Sequence, residues 1–135
     1  MMPEPMFSLT QDQIGRVVAQ FYSKARADAV LGPIFAERVT DWPAHEAKIA
    51  NFWSNAILRT RSYDGNPMQA HISAGNVEAG HFAAWLAMFD AVLVDELPLE
   101  PAMAWSRLAH RIGRGLMSGL AFNLGQQNDI PRLRS

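Results

Sequence analysis

Apolar residues return every three or four positions along almost the whole chain, and no alternating apolar and polar run is long enough to make a sheet strand. That periodicity restricts the chain to packed helices, because only a 3.6-residue repeat stacks such positions on one face. Thr10 and Gln13 have capping-box spacing, and Ile14, Val17, Val18, Phe21 and Ala25 follow on one stripe, which predicts a helix over Gln11 to Ala29. Tyr22 falls at the edge of that stripe, where its hydroxyl needs a partner. Gly32-Pro33 stops the helix, and Leu31, Ile34 and Phe35 form an apolar corner expected to be a short tight turn. Thr40 or Asp41 can cap a second helix, whose inner face carries Trp42, His45, Ile49, Phe52, Trp53, Ala56 and Ile57. A third long helix, Val77 to about Val94, has Phe82, Trp85, Leu86, Phe89, Val92 and Leu93 on one side. After Asp95 to Pro98, a last helix opens at Pro101 with Trp105, Leu108, Ala109, Ile112, Leu116 and Leu120 as its stripe. Arg107, Arg111 and Arg114 repeat on another of its faces and read as a solvated basic edge.

A chain of 135 residues is long enough to bury one core and is expected to be a single domain, ordered over about 10–124 with a flexible arm and tail. A net charge of -1 lacks the basic excess of a nucleic-acid binder. The chain has no cysteine, which excludes disulfides, thiolate metal sites and iron–sulfur clusters. No apolar run approaches the roughly 18 residues of a membrane span, so no membrane partner and a cytoplasmic location are expected.

Between the second and third long helices runs Tyr63 to His71, reading YDGNPMQAH. Asn66 can cap a short helix, Pro67 suits its first position, and His71 arrives one turn later. Taken alone, this is most simply a polar residue at a loop edge. Elsewhere the helices offer Tyr22, His45 and Trp85 at inward or edge positions, in a setting of Phe21, Phe35, Phe52, Trp53 and Phe82. A phenol, two imidazoles and an indole converging in an apolar pocket would be a costly inert core, since each polar tip needs a partner. A flat apolar cofactor accounts for the aromatics, and haem needs only one protein histidine.

Taken in order, Phe21-Tyr22, Leu31 to Phe35, Asp41-Trp42 with His45, Ile49 to Trp53, Tyr63 to His71, and His81-Phe82 with Trp85-Leu86 and Phe89 resemble the truncated haemoglobins, most of all their third group. The resemblance spans Ile14 to Leu93 in register, and the last helix agrees in pattern only. It implies a globin-like, two-over-two helical sandwich enclosing haem b. In it His71 is the proximal iron ligand, Tyr22 the distal hydrogen-bond donor, His45 the distal gate and Trp85 a second donor. Phe35 packs on the haem face, and Phe21, Ile49, Phe52, Trp53 and Phe82 belong to the lining. Lys48 pairs with one propionate, and Tyr63 with Arg59 or Arg61 helps to hold the other. The implied function is reversible binding of dioxygen, with NO, CO or peroxide as further ligands, an unidentified reductant, and a monomer or weak homodimer as the assembly. Two alternatives use the same residues differently: a haem peroxidase or nitric oxide dioxygenase, and a cofactor-free helical interaction module. A zinc site from His71, His81 and Glu78 ranks below both, because no paired His-x-x-x-His spacing is present.

Overall fold

Thr10 begins the first helix as its spacing predicts: its hydroxyl accepts from the Gln13 amide at 3.1 Å, and the Gln13 side chain accepts from the Thr10 amide at 2.9 Å. The computed structural model describes residues 6–60, 65 and 79–134, without the side chains at 79 and from 120 onward, and among them the only regular elements are helices. Helix α1 spans Gln11–Ala27 and buries Ile14, Val17, Val18, Phe21, Tyr22 and Ala25. It stops two residues earlier than the apolar pattern suggests, at Asp28, whose carboxylate accepts from the amides of Val30 and Leu31 at 2.9 Å each. Those two bonds cap the start of a further helix, α2, Leu31–Ala36, where the sequence reads as a turn.

Asp41 caps α3, Trp42–Leu58, by accepting from the Ala44 amide at 3.1 Å, with Pro43 in the first turn. Arg59 ends α3 in the left-handed conformation, φ 63°. Helix α4 spans Ala79–Glu96 and α5 spans Leu99–Arg134, carrying on through the polar stretch after Gly125. A tight corner at Leu97 and Pro98 turns α4 into α5, and the pair runs antiparallel: Gly113 lies under Leu86, while Ser106 and His110 reach Asp90.

The architecture is the expected all-α sandwich, with α1 and α3 as one pair and α4 and α5 as the other. Helix α1 is its hub, packing on α2, α3 and α4. The core is aromatic: Phe21, Phe89 and Trp105 are the largest fully buried side chains, with Ile14, Val17, Ile57, Val92 and Leu93 around them. Burial of each stabilises the fold by about 1.5–3 kcal/mol. Helix α3 behaves differently along its length. Its second half buries Trp53, Ser54 and Ile57, whereas Trp42, His45, Ile49 and Phe52 remain half-buried. No described Cα of α3 comes within 8 Å of α4 or α5, and the helices meet through the large Trp53 ring. The apolar side chains on the first half of α3 are therefore only partly buried.

Candidate functional site

Tyr22 anchors the site. Its ring is buried in the core, deeper than the stripe edge where spacing alone places it, and its hydroxyl finds His45 Nε2 at 3.1 Å. Burial pushes the phenol pKa well above its usual range, with the Glu46 carboxylate adding to the shift. The same burial, helped by the Lys48 ammonium, lowers the His45 pKa. Both groups are therefore neutral near pH 7. With Nε2 unprotonated, the phenol donates to it; with Nε2 protonated, the imidazole donates to the phenol oxygen.

Around this pair the rings meet edge to face. Phe35 lies 5.4 Å from Tyr22 between centroids, His45 5.1 Å and Trp42 5.7 Å. Trp42 was given no role in the site by the sequence, where it stood on the α3 stripe and in the family pattern. Here it packs on His45 at 5.8 Å, and the Arg26 guanidinium lies 4.4 Å from its ring centre, closing the outer side of the cluster. The signal in the sequence was its position three residues before His45.

Trp85 stands one ring away from Tyr22: Phe21 touches both, at 5.1 Å and 5.2 Å. Trp85 is half-buried and stacks on Phe89 at 4.8 Å, which stacks in turn on Trp53 at 5.6 Å. Phe21 and Trp53 are core residues, Phe82 is buried, and Ile49 and Phe52 are half-buried. Lys48 is exposed on α3, free to place its ammonium at the rim. Tyr63 and His71 lie outside the described residues. Among the described residues, Trp105 Nε1 is a buried side-chain donor without a hydrogen-bond partner, and the indole stands edge-on to Phe89 at 5.4 Å and to Trp53 at 5.5 Å. The π faces of those two rings are the electron-rich surfaces beside it.

A second polar cluster went unread in the sequence. Asp90, on the largely apolar α4, accepts from Ser106 Oγ at 2.7 Å and lies 2.7 Å from His110 Nε2. Ser106 and His110 are four apart on α5, so one carboxylate ties down a full turn. The cluster sits beside Arg107, Arg111 and Arg114, which line an open cleft along α5.

No protein-family model matches this chain. A group 3 truncated hemoglobin of Campylobacter jejuni is 33% identical to it over 90 residues, covering 64% of this chain and 71% of the relative. The crystal structure of a group III truncated hemoglobin from Campylobacter jejuni superposes with a TM-score of 0.78 at 29% identity, covering 84% of this chain and 93% of that one. Similarity over this much of both chains, in fold as well as in sequence, places the protein in a family: it belongs to the truncated haemoglobins, in group III.

Proposed function

We propose that the chain is a haem b globin that reversibly binds dioxygen and related diatomic ligands. The observation that carries this reading is the buried Tyr22 hydroxyl paired with His45, beside apolar side chains of α3 that are only partly buried. The residues present suit the group: Phe35, Trp42, Ile49, Phe52, Trp85 and Met88 offer apolar surface that the rest of the described protein covers only in part. Haem would supply the iron that takes up the gas and a flat ring for that surface.

The chain's own residues would then divide the work. His71, by its place in the family motif, is the protein ligand to iron, and Lys48 and Tyr63 meet the propionates. The Tyr22 hydroxyl donates to a diatomic ligand in the pocket, and the Trp85 indole N–H is a second donor. Each such bond stabilises the ligand by about 0.5–1.5 kcal/mol, more where water is excluded. His45, kept neutral by burial, holds the Tyr22 hydroxyl until a ligand competes for it. A cytoplasmic reductant would keep the iron ferrous.

Spectroscopy of the purified chain tests this directly. A pyridine haemochrome assay should show haem b in stoichiometric amount, and His71→Ala should lose the iron–imidazole signature. Tyr22→Phe should release dioxygen roughly two- to tenfold faster in a stopped-flow measurement. A His71→Ala variant with unaltered haem content and coordination would defeat the assignment.

A further inference from the structure

One stripe of α5 is built unlike a solvated helix face. Glu100, Met103, Arg107, Arg111 and Arg114 follow one another at three- and four-residue spacing and so share one side, about 21 Å long at 1.5 Å per residue. All but Met103 carry charge, and among the described residues none of the four charged side chains is in an ion pair. The neighbouring carboxylate that would neutralise the arginines, Asp90, is already taken by Ser106 and His110. Large apolar side chains lie open at the other end: Leu99 is 71% exposed, Val94 69% and Met103 50%. On α4 the residues Ala83, Ala84, Ala87 and Ala91 are exposed as well.

We propose that this stripe is the contact face of a homodimer, two copies of α5 packed antiparallel about a two-fold axis beside Met103. The order of the residues selects that partner and that direction. Acidic and apolar groups occupy the N-terminal end and basic groups follow one to three turns later, so the face is complementary to itself once reversed. With the axis beside Met103, Glu100 of each copy falls opposite Arg107 of the other. Leu99, Met103 and Val94 from both copies are covered at the centre. A parallel pairing would instead set arginine against arginine, and a net charge of -1 leaves no long-range repulsion between copies.

The test is sedimentation velocity on the full chain at loading concentrations up to about 0.5 mM, in low and high salt, because a face of this size sits at the weak end of specific interfaces. The wild type should dimerise reversibly and less strongly in high salt. Met103→Glu, at an exposed position that leaves the fold intact, should weaken the dimer at least about tenfold. Glu100→Arg and Arg107→Glu should each weaken it comparably, and the double charge swap should restore it to within about threefold of wild type. A chain that stays monomeric throughout overturns the proposal, and so does a double swap that dimerises no better than the single variants.

Discussion

Tyr22 and His45 hold each other in their neutral forms, because burial opposes charge on both. The consequence for stability has a definite sign. An unfolded histidine takes up a proton as pH falls through about 6.5, whereas folded His45, with its lowered pKa, resists it. The unfolded chain then binds more protons, so this residue costs stability progressively as pH drops below about 7 and costs nothing above. Urea titrations of the wild type and His45→Gln should show a stability difference that shifts against the wild type between about pH 7 and pH 5. A difference independent of pH would show that the imidazole is not desolvated. How far this pair was legible depended on distance along the chain. Spacing placed Tyr22 near the buried stripe and demanded a partner for its hydroxyl; that His45 would be that partner depended on how α1 and α3 pack, which no local pattern encodes. Trp42, pinned by Arg26, was hidden for the same reason.

Among the elements, α2 was the one misread. Gly32-Pro33 looks like a turn, and in isolation six residues with those two would not hold a helix. What holds it is the Asp28 carboxylate on two of its first amides, together with the close approach of α2 to the end of α1. A Cβ at Gly32 would lie 2.7 Å from the Arg26 carbonyl oxygen and 3.4 Å from that of Ala25. Helix propensity alone would favour alanine there by up to about 1 kcal/mol, but backbone cannot give way as a flexible side chain can. Gly32→Ala should therefore destabilise by about 1–3 kcal/mol, seen as a lower urea midpoint at an unchanged m-value. A stabilised variant would mean that the α1–α2 joint is slack. The caps of α1 and α3, by contrast, were readable because Thr10, Gln13 and Asp41 act within one turn of chain. The Asp90 cluster was not, since it needs the α4–α5 register to bring Ser106 and His110 to one carboxylate.

At the scale of the molecule, the apolar periods carried the all-α class and most of the core, down to Trp105, Phe89 and Phe21. They could not carry the unequal burial of α3, whose inner face is continuous in sequence but covered over only half its length. That half-covered helix, tied to the rest chiefly through α1, implies an uneven hierarchy of opening. Native-state hydrogen exchange should find the amides of Val17, Val18 and Phe21 opening only with global unfolding, while those of Ile49 and Ala50 open at a lower free energy and depend less on urea. Equal protection across the two helices would contradict this. On that expectation the two ends of one hydrogen bond would belong to different foldons, with His45 on the segment that opens early and the Tyr22 hydroxyl on the one that opens last.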